Sequence, residues 1–210
     1  MVPFDLEAWL GEPQPSPIVQ AGASVLRQRA FEVSDAMLGS PTLLRLVDLM
    51  VEVMRAAPGV GLAAPQIGVP LRVFVAEDDE ERLARAAPEA LELRGRTPLP
   101  LMVLVNPAVS LVAGAQATFF EGCLSVRGYG ALVPRAAAVQ VKAVDGHGRP
   151  LSAMLQGWPA RIMQHEMDHL NGTLYVDRMI SRSFACDAEL GRLGALPVSE
   201  ILEELGVPPP

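Results

Sequence analysis

The sequence is poor in aromatic residues, cysteine, histidine and basic charge, and each shortage excludes something. Aromatics are 5% of the 210 residues, so a core must come from Leu, Val, Ala, Met and Ile. Two cysteines, Cys123 and Cys186, are too few for a disulfide scaffold and read as free thiols in a reducing compartment. The formal net charge is −7 with no Lys/Arg-rich run, which argues against direct nucleic-acid binding. No apolar run approaches the roughly 18 residues of a membrane helix. Residues Met1 to Glu7 carry early acids and no basic leader, so no secretory or transit peptide is expected there. These absences point to a cytoplasmic protein with no membrane partner.

What is present reads as one catalytic domain over 1–210. Pro3, Pro13, Pro15 and Pro17 suggest an extended N-terminal arm over 1–20. Ser40-Pro41 has the form of a helix start, and Leu43, Leu46, Val47, Met50 and Met54 repeat at helical spacing. Gly59 to Gly68 is too small in side chain and too broken for a helix or central strand. Strands are expected over 71–76, 101–105 and 115–120. Val139–Val144 and Leu151–Gln156 should pair as a hairpin across Asp145-Gly146. The five acids Glu77 to Glu81 read as a solvated loop, and residues 82–100 can hold a short helix. A helix runs from about Pro159 to Leu170, with Gly172 beyond its end. The tail from 187 to 210 carries a short helix near Ser199 to Leu205. Strands outnumber helices and several look antiparallel, so the class is α+β.

The chemistry concentrates in Gln164-His165-Glu166-Met167-Asp168-His169-Leu170, which contains H-E-x-x-H. Helical residues advance about 100° each, so His165 and His169 are offset by only about 40° and can share a metal. Glu166 lies about 60° from His169, off-axis for a ligand but placed to contact a metal-bound water. Trp158, Arg161 and Ile162 fall on the His165 side and should line the approach. Two of only three histidines in the chain fall in this pattern; His147 reads as an exposed turn residue.

A catalytic metal needs a third protein ligand and an open position. Glu189, 20 residues after His169, would make a His₂Glu peptidase site. Cys123, after a predicted strand and beside Gly122, offers a thiolate for a soft or borderline metal. Local spacing alone leaves both open.

Three segments taken together narrow the choice. Gly59-Val60-Gly61-Leu62-Ala63-Ala64-Pro65-Gln66, Glu121-Gly122-Cys123-Leu124-Ser125 and His165-Glu166-Met167-Asp168-His169-Leu170 resemble, in order and spacing, the three motifs of peptide deformylases. Pro17-Ile18-Val19, Leu26-Arg27, Asn106-Pro107, Val133-Pro134-Arg135 and Gly172 extend the resemblance over most of 17–184. It implies antiparallel β-sheets packed around a central metal-binding helix carrying HExxH. It implies metal ligands Cys123, His165 and His169, and removal of the formyl group from the N-terminal formyl-methionine of nascent chains, releasing formate.

Glu166 is then the general base, and the Gln66 amide and Leu124 backbone N–H face the oxyanion. Gly61 would let peptide backbone lie along its loop, while Val60, Trp158 and Ile162 are candidates for the methionine pocket. Glu121 and Arg135 suit a structural pair, and Asp168 an outer support. The metal is one divalent ion, with Fe²⁺ implied by the resemblance and Zn²⁺, Ni²⁺ or Co²⁺ suited to the same ligands. Transient ribosome association would use a surface other than the acidic tail. Gly157 to Ile162 is closer to the subgroup that includes organellar deformylases. Tyr129-Gly130 stands where many bacterial members have a longer polar residue, which leaves the contacts beyond methionine open. The rival readings are a zincin-type peptidase with Glu189 as third ligand, and a silent deformylase-like binding module.

Overall fold

The computed structural model describes residues 4–12 and 18–207. Its first helix, α1 (Leu6–Gly11), starts where the Asp5 carboxylate accepts from the Ala8 N–H at 3.0 Å. Leu6 and Leu10 point into the core, which is why this stretch coils instead of running as the extended arm expected over 1–20. Pro3, Pro13, Pro15 and Pro17 lie outside the described residues. Helix α2 (Pro41–Ala56) begins as its sequence dictates, with the Ser40 hydroxyl accepting from Leu43 N–H at 3.2 Å and Pro41 in the first turn. Leu43, Leu46, Val47, Met50 and Met54 form its buried stripe.

After α2 the small-residue stretch makes a three-residue strand, β1 (Gly61–Ala63), and a 3₁₀ turn over Ala64–Ile67. Strand β2 (Val73–Asp78) pairs antiparallel with β1. The acidic run Glu77 to Glu81 is not one solvated loop: Glu77 and Asp78 end β2, and only Glu80 and Glu81 are exposed. Asp78 is fully buried and takes two hydrogen bonds from Arg96, at 2.6 and 2.8 Å. Glu77 holds Arg55 at 2.7 and 2.8 Å, and Asp79 caps a short helix, α3 (Glu80–Leu83). A charge run read along the chain cannot register that Arg55 and Arg96 return to it in space. Helix α4 (Pro88–Arg94) follows within the expected 82–100.

Strands β3 (Leu99–Leu111), β4 (Gln116–Cys123), β5 (Val126–Ala136), β6 (Ala138–Val144) and β7 (Pro150–Gln156) come next. The β6–β7 hairpin pairs from Ala138↔Gln156 to Val144↔Pro150 as its alternation predicts. Strand β5 was not legible, because Gly128, Gly130 and Pro134 break its pattern. Pro134 faces Thr118 across the β4 pairing, and β5's other edge is paired only at Tyr129 and Gly130, so a missing N–H is tolerated there.

Helix α5 (Gly157–Leu170) then crosses the molecule, packed against β1, β2, β3, β5, β6 and β7, with ten of its residues buried. Strand β8 (Ala185–Cys186) and helices α6 (Asp187–Leu193) and α7 (Val198–Glu204) complete the chain. The sheets have the orders β1-β2-β3-β6-β7 and β4-β5-β8, all antiparallel, so the fold is α+β. β1 and β4 are each an outer strand of its sheet. Among the described residues no helix is long and apolar enough to cross a membrane.

Candidate active site

Helix α5 places His165 and His169 on one side, their ring centroids 5.0 Å apart. Cys123 ends β4 beside them, with Sγ 3.3 Å from His169 Nε2. One donor atom from each of Cys123, His165 and His169 lies within 4.8 Å of the others, close enough to hold one metal ion. The donor chemistry fits. His165 Nδ1 is engaged by Glu121 Oε2 at 3.0 Å, which leaves Nε2 to ligate. A thiolate with two imidazoles suits a tetrahedral site that keeps one position open.

Glu121 is the residue whose importance local reading understated. Its buried carboxylate accepts from Arg135 Nε and Nη2 at 2.9 Å each, from Arg161 Nη1 at 2.6 Å, and from His165. Burial opposes its ionisation, but hydrogen bonds from Arg135 and His165 outweigh that and hold the carboxyl far below the usual carboxylate range. Arg135 Nη1 continues to Asp168 at 2.6 Å, and Asp168 takes Arg178 twice at 2.7 Å. Glu121 stands two residues before Cys123 on one strand, so the two share a face. That spacing was the available signal. Burial also opposes charge on His165, yet Cys123 and Glu121 raise its pKa well above the ordinary value. His169, buried and facing His165, is pushed well below it and stays neutral.

Glu166 is 4% exposed, and its Oε2 has no hydrogen-bond partner among the described residues. Burial raises its pKa to about 7. Gln66 is held for donation toward the site. Its Oε1 accepts from Ala63 N–H at 2.8 Å, so Nε2 points to Ser125 Oγ at 3.4 Å and Cys123 Sγ at 3.6 Å.

These groups meet in a cleft of about 870 Å³ between the outer strands of the two sheets. Of the ten residues singled out from sequence, Val60, Gly61, Gln66, Cys123, Leu124, Trp158, Ile162, His165 and Glu166 line it. His169 is buried behind Cys123. Arg161, expected on the approach, lines it too, its guanidinium 5.3 Å from the Phe119 ring centre and 5.7 Å from that of Trp158. Tyr129, noted from sequence for the contacts beyond methionine, also lines it, while sequence reading missed Arg127 and Asp187. Glu189, the rival third ligand, is exposed on α6 and paired with Arg192 at 3.0 Å; the zincin reading has no support.

Comparison with known proteins agrees with this geometry. The family described as polypeptide deformylase matches residues 15–184. Peptide deformylase 1 of Streptomyces coelicolor is 50% identical over 188 residues, 87% of this chain and 82% of the relative. Peptide deformylase 1A, chloroplastic/mitochondrial, of Arabidopsis thaliana is 46% identical over 189 residues, 90% of this chain and 69% of the relative. A Met-Ala-Ser-bound crystal structure of the class I type b peptide deformylase from Acinetobacter baumannii superimposes with a TM-score of 0.69 at 36% identity, covering 78% of this chain and 97% of that one. With motifs, architecture and relatives in agreement over four-fifths of its length, the chain belongs to the peptide deformylase family.

Proposed function

We propose that this protein hydrolyses the N-formyl group from formyl-methionine at the start of nascent polypeptides, releasing formate. The observation that carries this is the unpartnered, buried Glu166 Oε2 beside the Cys123, His165 and His169 cluster. In metal-free protein burial raises its pKa to about 7, the direction that suits a group which takes up and releases a proton.

Substrate peptide lies between the free edges of β1 and β4, adding a strand to outer strands that have backbone groups to offer. The structure of the Acinetobacter baumannii relative with Met-Ala-Ser supports a peptide occupant. Val60, Trp158 and Ile162 supply the apolar surface for the methionine side chain. Cys123, His165 and His169 would hold a divalent ion, whose Lewis acidity would favour water as a nucleophile near neutral pH. Glu166 accepts a proton from water as the water oxygen bonds to the formyl carbon, and delivers it to the amine nitrogen as the C–N bond breaks. The Gln66 Nε2–H and the Leu124 backbone N–H donate to the oxygen on which negative charge develops. Glu121 holds the His165 ring in one tautomer, and Arg135 and Asp168 hold Glu121.

Fe²⁺ is the ion we assign on the family resemblance, with Zn²⁺, Ni²⁺ and Co²⁺ able to take the same ligands. The setting is the cytoplasm, with transient contact to ribosomes through a surface other than the acidic tail. The test is formate release from formyl-Met-Ala-Ser by protein purified without oxygen and loaded with Fe²⁺ or Ni²⁺, beside Glu166→Ala. Turnover that disappears in the variant while its metal stays bound supports the reading. A folded, metallated protein that releases no formate overturns it.

A further inference from the structure

The stretch Val19-Gln20-Ala21 bridges the two loops that carry Gln66 and Leu124. Val19 N–H donates to the Gln66 carbonyl at 2.9 Å, and Ala21 N–H donates to the Ser125 carbonyl at 2.7 Å. Between them the side chain of Gln20, an exposed residue, reaches the turn that joins β4 to β5. Its Nε2 donates to the Leu124 carbonyl at 3.0 Å and to the Ile18 carbonyl at 3.1 Å, and its Oε1 accepts from Arg127 N–H at 3.4 Å. Carbonyls only accept and a main-chain N–H only donates, so a single orientation of the amide serves all three. Gln20 lies 104 positions from Leu124, and none of the three motifs contains it.

The Leu124–Ser125 peptide group links Gln20 to the site. Its oxygen takes the Gln20 hydrogen bond, and its N–H, that of Ser125, donates to Cys123 Sγ at 3.4 Å. A hydrogen bond at the oxygen of a peptide polarises the group and strengthens donation from its N–H. It also fixes the peptide plane, and with it the angle at which the N–H meets the sulfur. The Cys123–Leu124 peptide, which presents the Leu124 N–H, shares the Leu124 Cα, so a tilt of one plane passes to the other. Hydrogen bonds to a thiolate draw charge from sulfur and tune what it gives to a metal.

Resting on the deformylase reading for its catalytic part, we propose that Gln20 is a positioning residue. Through the Leu124–Ser125 peptide it sets the hydrogen bond to the Cys123 sulfur and the aim of the Leu124 N–H at the oxyanion.

The test uses Q20A and Q20E in the full-length protein. With Co²⁺ bound, a thiolate that has lost a hydrogen bond is a better electron donor, so its charge-transfer band should move to longer wavelength in Q20A. Q20E keeps an acceptor for Arg127 N–H but offers no hydrogen to the Leu124 carbonyl, so it should shift the band as Q20A does. In metal-free and Zn²⁺-loaded protein alike, the Ser125 amide proton should move upfield in both variants. For formyl-Met-Ala-Ser, kcat should fall about tenfold, less than the ~100-fold or more lost with an oxyanion donor itself. KM should stay within about twofold, because the donor acts in the transition state. R27A breaks the exposed Arg27–Asp177 ion pair of the same segment and should change Tm alone. A Ser125 proton and band unmoved in Q20A, a Q20E that matches the parent, or an R27A that reproduces the shifts would each overturn the assignment. An undiminished kcat in Q20A would overturn its oxyanion part. If the parent releases no formate, the deformylase reading fails separately, and the Ser125 proton still decides on Gln20.

Discussion

A Cβ on Gly61 would lie 2.3 Å from Glu166 Oε1 and 2.7 Å from its Cδ. No real Cβ tolerates that contact, so glycine at 61 is what allows the carboxylate to stand against β1. This is a different demand from the one expected at this glycine, which was room for peptide backbone. Gly61→Ala should displace Glu166 while leaving Cys123, His165 and His169 in place. We expect kcat to fall about 100-fold, the usual effect of a catalytic group misplaced by about 1 Å, with metal content unchanged. Formate kinetics beside metal analysis check this; a variant with full kcat would mean that Glu166 works from another rotamer.

The raised pKa of Glu166 is directly measurable. In metal-free protein, ¹³C NMR of the Glu166 carboxyl should show a midpoint near pH 7, about where burial places it. An acid with a folded pKa above its unfolded value stabilises the fold fully below the unfolded value. That contribution is lost as pH rises through the folded one. Metal-free protein should therefore lose this contribution between roughly pH 4.5 and 7, and Glu166→Gln should not. Adding Zn²⁺ should move the midpoint down, because a nearby cation favours the ionised carboxylate.

Glu121 joins two arginines and His165 in a buried cluster. Glu121→Gln leaves Arg135 and Arg161 without a full countercharge and loosens the His165 tautomer. We expect a loss of about 3–5 kcal/mol, seen as a Tm lower by roughly 10 °C. Metal affinity should also weaken by about 10- to 100-fold. Thermal unfolding and competition with a chelator measure the two separately.

The identity of the third ligand has a spectroscopic signature. With Co²⁺ or Ni²⁺ bound, Cys123 should give a thiolate-to-metal charge-transfer band in the near ultraviolet. Cys123→Ser should abolish that band, while Glu189→Gln leaves it untouched. A band that survives Cys123→Ser would remove Cys123 from the ligand set.

Much of the site was legible along the chain because helical and strand periodicities are local. His165 and His169 are four apart on one helix, so their proximity follows from a single turn of backbone. Ser40 and Pro41 mark a helix start wherever they fall before such an apolar stripe, and they mark one here. The β6–β7 hairpin carries its register in its own alternation. Other features hid for equally physical reasons. The Asp78–Arg96 pair turned an apparently solvated acidic run into a buried strand end. Leu6 and Leu10 made a helix out of residues whose neighbouring prolines suggested an arm.

By itself the sequence determined the class of chemistry here: a short-period H-E-x-x-H, a cysteine strand and a glycine-glutamine loop, each set by bonds only a few residues long. Tertiary structure decided which groups those residues would meet. Glu121 is 44 positions from His165 and Gln66 is 57 from Cys123. Asp187 reaches the cleft through a sheet pairing rather than through its neighbours in the chain. Such contacts exist only once the strands have paired and buried charges have found partners. Local periodicity carries no record of them.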